Sequence, residues 1–128
     1  MIIIGSSGFV GKSLNDYFKK KKSYRILNYS RTQSKDITNA SRMPTSDFII
    51  YCINNKNIKT SLRYFFHFKK LLYKNSKKPK ILFFSSGAVY GPRSFKKKFY
   101  ENDNINLNKY KKFFGYKKNY AKEKYLLE

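Results

Sequence analysis

Short apolar runs and stretches of helical periodicity alternate along this chain. The first run, Ile2 to Ile4, leads into the heptapeptide Gly5-Ser6-Ser7-Gly8-Phe9-Val10-Gly11. Beyond it, Val10, Leu14, Tyr17 and Phe18 recur at a spacing that puts them on one helix face, as far as the lysine run at 19–22. Residues 24–29 read as a second strand, and the unbroken apolar stretch at 48–53 as a strand buried on both faces of a parallel sheet. The segment 35–44 between them is polar and short, an abbreviated crossover that carries no helix. Ile58, Leu62, Phe65, Phe66 and Leu72 mark a helix over 57–74, ended by the polar, proline-containing stretch 75–79. A strand at 80–84, a long polar segment at 92–112 and a helix at 116–128 follow. Strands alternating with helices in this order predict an α/β protein with a parallel sheet and crossover helices.

At 128 residues the chain has room for one domain, 1–128, and its 41% apolar and 19% aromatic content supplies a core and argues against disorder. Charge complicates that picture. There are 29 Lys and Arg against 7 acids, a net charge of +22, which first suggests a nucleic-acid or anionic-membrane partner. The basic residues are dispersed between apolar segments, however, and AT-rich coding would favour Lys together with the abundant Phe, Tyr, Ile and Asn. No zinc-ligand spacing or RNA-binding aromatic signature accompanies them, so nucleic-acid binding rests on charge alone and is not the adopted reading. The single cysteine, Cys52, excludes an internal disulfide and a cysteine-based metal site, and its apolar run suggests a small core residue. The lone His67 has no neighbouring ligand. No stretch is apolar enough to span a membrane and the first strand starts at Met1, so a cytoplasmic protein with no membrane partner is expected.

Three clusters carry chemistry. Glycines placed directly after a strand and at the mouth of a helix allow a tight turn and let a pyrophosphate approach backbone N–H groups at the positive end of the helix dipole. Gly5, Gly8 and Gly11 stand in that context, spaced G-x-x-G-x-x-G, and hold half of the chain's 6 glycines. The end of the second strand is where a dinucleotide ribose is read, by an acid for NAD or a basic residue for a 2′-phosphate. It reads Asn28-Tyr29-Ser30-Arg31, without an acid, which leans toward NADP over NAD. Next, Ser85 and Ser86 leave the strand at 80–84 in the run Phe83-Phe84-Ser85-Ser86-Gly87-Ala88-Val89-Tyr90-Gly91, where open α/β sheets place their ligands. Last, Tyr120 and Lys124 lie one turn apart on a helix face, and a neighbouring ammonium favours phenolate over phenol. Tyr17 with Lys21 and Tyr73 with Lys77 share the spacing, but only Tyr120 follows the serine strand.

In this order the clusters resemble extended short-chain dehydrogenases/reductases, the NAD(P)-dependent epimerase/dehydratase family that modifies nucleotide-sugars. MIIIGSSGFVG resembles the family's pyrophosphate loop, FFSSGAVYG its serine strand, and YAKEKYLLE its Tyr-x-x-x-Lys helix. The resemblance implies a Rossmann-like doubly wound parallel sheet. It implies an NAD(P) site formed by Gly5, Ser7, Gly8, Phe9, Val10, Gly11, Ser30, Arg31, Asp36 and Lys124, Asp36 lying near the adenine. Tyr120 becomes the acid/base, Lys124 the residue that binds the nicotinamide ribose and tunes the tyrosine, and Ser86 the group that orients the substrate oxygen; Asn57 resembles the asparagine that opens the middle helix. Glu101-Asn102-Asp103 matches only loosely the acidic stretch that precedes the tyrosine in relatives.

Relatives continue beyond the position of Glu128 into the last strands and a substrate domain, so the fold is expected to be incomplete. The implied reaction is hydride transfer at a sugar carbon of a nucleotide-sugar while Tyr120 exchanges the hydroxyl proton. Gly87-Ala88, where a dehydratase carries an acid, slightly favours epimerase or reductase. The alternative is a non-catalytic dinucleotide-binding module that needs a homodimer mate or a complementing chain.

Overall fold

The computed structural model describes residues 1–31, 36–55, 57–75, 77–90, 98, 100, 102–103, 105 and 116–128. Glu101, most of the lysine run at 96–98 and the run at 109–112 lie outside the described residues. Among those described, no helix is long and apolar enough to cross a membrane. The chain divides into two compact units, one of residues 1–54 and 63–84 and the other of 55–62 and 85–128.

The first unit is built on a four-stranded, wholly parallel sheet. Its strands are β1 (Ile2–Ile4), β2 (Leu27–Tyr29), β3 (Phe48–Tyr51) and β4 (Lys80–Phe83), in the spatial order β2-β1-β3-β4. The helices are α1 (Phe9–Lys20), α2 (Ile58–Tyr73) and α3 (Tyr116–Leu127). The elements follow the order that the hydrophobic pattern predicts, with the second strand shorter than expected. Among its described residues, the crossover from β2 to β3 holds one 3₁₀ turn, Ile37–Asn39, and no α-helix. It is nonetheless anchored, because Ile37 and Met43 are buried in the core.

Register decides which residues share a face. Ile2 pairs with Leu27 and Ile49, and Ile4 with Tyr29 and Tyr51, so these residues lie side by side and Phe83 continues the row beside Tyr51. Tyr64, Phe68 and Leu71 of α2 join them in one cluster. Within it the Tyr51 ring lies 5.1 Å from Phe68, 5.6 Å from Phe65 and 5.9 Å from Phe83, centroid to centroid. Each such pair contributes about 0.5–1.5 kcal/mol beyond area burial. The opposite face carries Ile3, Asn28 and Ile50, where Asn28 Nδ2 donates to Asn15 Oδ1 of α1 at 2.8 Å.

The phase of α1 departs from the hydrophobic pattern. Tyr17, expected on the core face, is 55% exposed, and Val10 is exposed as well; the buried positions are Gly11 and Asn15, with Leu14 and Phe18 half-buried. Gly11 sits so close to the Gly5 carbonyl that a Cβ there would lie 2.2 Å from the oxygen. That contact fixes the rotation of the helix and turns Val10 and Tyr17 away from the sheet. Cys52 is half-buried rather than buried, and its backbone N–H continues the ladder to the Ile4 carbonyl at 2.8 Å. His67 Nε2 donates to the Ala40 carbonyl at 3.0 Å, a structural tie between α2 and the crossover.

Candidate functional site

In the first unit the glycine loop is assembled by backbone contacts at the carboxyl ends of β1, β2 and β3. Gly5 N–H and Ser6 N–H both donate to the Tyr29 carbonyl, at 2.9 and 3.2 Å, and the buried Ser6 hydroxyl adds a third bond to it at 3.3 Å. Gly5 has φ +88°, and a Cβ there would meet the Cys52 carbonyl carbon and Ile53 nitrogen at 3.0 Å. Both conformation and space therefore demand glycine at position 5. Gly8 N–H closes the turn onto the Gly5 carbonyl at 3.0 Å.

Gly8 is the N-cap of α1, in extended conformation and with no side-chain cap. The N–H groups of the first turn are thus left to an external acceptor. Phe9 is 91% exposed and Ser7 and Gly8 are exposed, so the helix mouth is open. No acid lies in the first turn of α1, while Lys19 and Lys20 occupy its last turn, a distribution that leaves the N-terminal partial charge unopposed. Unlike Gly5 and Gly11, Gly8 has room for a side chain: a Cβ would meet only the Gly5 carbonyl, at 3.4 Å.

Ser30 is buried and Arg31 exposed at the exit of β2. Asp36 uses its Oδ1 locally, accepting from Thr38 N–H and Thr38 Oγ1, each at 2.9 Å, and so caps the 3₁₀ turn. That role accounts for an acid at this position without a ligand.

In the second unit α3 packs against the 3₁₀ turn Gly87–Tyr90, which brings the Tyr120 and Lys124 helix onto the serine-bearing turn. Ser86 Oγ accepts from Ala88 N–H at 3.2 Å, leaving the hydroxyl proton to donate elsewhere. Ser85 Oγ donates to the Glu128 carboxylate. Lys124 is buried and its Nζ lies 5.7 Å from the Tyr120 ring centroid, within cation–π range. Glu128 is pushed up by partial burial, against which the Lys124 charge works.

Sequence reasoning passed over Glu123. In a lysine-rich helix an acid reads as a solvated residue, yet Glu123 is 1% exposed. Burial raises its pKa, opposed by Ser61, the Lys124 charge and the Asn55 backbone. Neither Glu123 Oε1 nor the buried Ser61 Oγ reaches a hydrogen bond of ordinary geometry, so desolvation outweighs these helpers. A carboxyl whose pKa is higher folded than unfolded stabilises the fold fully below the unfolded value, and that contribution is lost as pH rises through the folded value. Glu123→Gln is neutral at every pH. It should raise the urea midpoint over wild type at pH 7 and lose that advantage below about pH 4. Equal midpoints under both conditions would show that the charged carboxylate is fully compensated.

Asp, Glu, Cys and His do not group into a metal-binding set among the described residues. No protein-family model, curated protein or solved structure matches the chain.

Proposed function

We propose that the glycine loop is a dinucleotide site and that the chain is the NAD(P)-binding portion of an oxidoreductase or epimerase acting on nucleotide-sugars. The observation that carries this reading is Gly8. The fold requires Gly5 and Gly11, but packing leaves Gly8 free to be larger, and it sits at the open, uncapped mouth of α1. A glycine at a helix mouth where packing would admit a side chain fits a pyrophosphate that must approach the backbone closely. The strand order supports the same reading: β2 and β3 flank β1 on opposite sides, so the chain reverses direction across β1, and open α/β sheets bind ligands at such switch points. On this view the sheet is Rossmann-like and doubly wound, with the last strands of the complete fold missing.

Ser86, Tyr120 and Lys124 supply the rest of the reading. A bound nicotinamide would exchange hydride with a sugar carbon. Ser86 is free to donate to the substrate oxygen, Tyr120 to take or return its proton, and the Lys124 ammonium to hold the cofactor ribose.

Calorimetric titration with NADP and with NAD, repeated at raised salt because the chain carries +22, tests the proposal. Saturable binding that survives the salt is expected, with NADP preferred. Absence of binding by a folded chain would overturn it. Arg31→Ala should weaken NADP about tenfold and leave NAD unchanged, since a charge-assisted bond to a phosphate is worth about 1.5–3 kcal/mol. An equal loss for both cofactors would remove Arg31 from the 2′-phosphate.

A further inference from the structure

Coding composition can account for how many lysines the chain holds, but not for where they stand relative to exposed aromatic rings. The outer face of α2 shows such a placement. Tyr64, Phe68 and Leu71 are buried against the sheet, while Phe66 is 60% and Tyr73 83% exposed. Around these two rings Arg63, Lys69 and Lys70 are exposed, as is Lys74 just past the helix end.

At 100° per residue, Arg63, Lys70 and Lys74 form one row, Phe66 and Tyr73 the row beside it, and Lys69 the far flank. The rings stand about 10 Å apart along the axis, being seven residues apart at about 1.5 Å each. No Asp or Glu occurs between Asp47 and Glu101, so α2 carries no acid of its own.

We infer that this face of α2 binds single-stranded nucleic acid, with Arg63, Lys70 and Lys74 on phosphates and Phe66 and Tyr73 as stacking platforms for bases. Cationic tracks with interleaved aromatics are the general means of holding single strands without reading sequence. Two other occupants fit less well. A membrane-surface helix needs its apolar face free to enter the lipid, and here that face is spent on the sheet, leaving two rings among four cations. A second copy related by a two-fold axis would bring identical cation rows together, which repel.

The test is fluorescence anisotropy of a labelled oligouridylate of roughly 15 nucleotides, titrated with the whole chain across a salt series around 0.15 M. Saturable binding is expected. Phe66→Ala with Tyr73→Ala should weaken it about tenfold or more without changing the salt slope. Arg63→Gln, Lys70→Gln and Lys74→Gln together should lower the slope of log K against log salt by about two. All five side chains are exposed, so the variants keep the fold, as a thermal melt would verify. No binding, or an aromatic variant that binds like wild type, would overturn the inference. So would binding to phosphatidylserine vesicles but not to the oligonucleotide, or sedimentation showing that the two rings hold a dimer.

Discussion

Gly11→Ala is expected to destabilise the first unit by about 3 kcal/mol or more, whereas Gly8→Ala should cost no more than about 1 kcal/mol, the loss of a good N-cap residue. The added Cβ at position 11 would lie 2.2 Å from the Gly5 carbonyl oxygen and 2.8 Å from its carbon, both backbone atoms of the tight turn. Neither can swing aside as a side-chain tip could. Gly5 is held in turn by its bond to the Tyr29 carbonyl and by the packing of β3's exit, so α1 would have to lift from the sheet and break the Asn28–Asn15 bond. At position 8 the same methyl meets only one atom, at van der Waals distance. Urea unfolding of both variants gives the comparison directly. Under the proposed function the order reverses for ligand: Gly8 carrying a bulky side chain should lose NADP while remaining folded. A Gly8 variant that binds NADP as wild type does would show that the loop meets no pyrophosphate.

Tyr120→Phe should lower turnover of a nucleotide-sugar substrate by about 10²- to 10⁴-fold, the usual worth of a positioned acid/base, with NADP affinity unchanged. The phenylalanine keeps the ring over which Lys124 lies and removes only the hydroxyl. Lys124→Met should differ by weakening cofactor binding too, because the ammonium is assigned both to the ribose and to the tyrosine. Nucleotide-sugars screened for NADP(H) turnover supply the substrate, and stopped-time product analysis reads both variants. Retained turnover in Tyr120→Phe would sink the acid/base assignment while leaving the dinucleotide site standing.

The glycine spacing, the serine-bearing strand exit and the tyrosine–lysine step were all legible along the chain, because each is a local pattern whose meaning depends on its immediate neighbours. The structure joins the last two: α3 packs on the turn that follows Ser85 and Ser86. What a one-dimensional pattern could not reveal is which polar residues end up inside. Glu123 and Lys124 are adjacent charges in a run rich in lysine, and only the packing of α3 makes them buried. Asn15 was likewise overlooked because its partner, Asn28, comes from a different strand.

Element order and type therefore belong to the sequence itself: short unbroken apolar runs and apolar positions at about a 3.6-residue period specify strand and helix before any tertiary contact forms. Strand order, the rotation of α1 and the separate reasons for three glycines were decided only by tertiary structure. Hydrophobic periodicity places Tyr17 on the core face of α1, but the close seat of Gly11 on the Gly5 carbonyl outweighs the burial of one ring and turns it out to solvent. The same close packing separates Gly8 from its neighbours. Gly5 and Gly11 are small because other parts of the chain occupy the space a Cβ would need, and Gly8 is small where the chain leaves that space open.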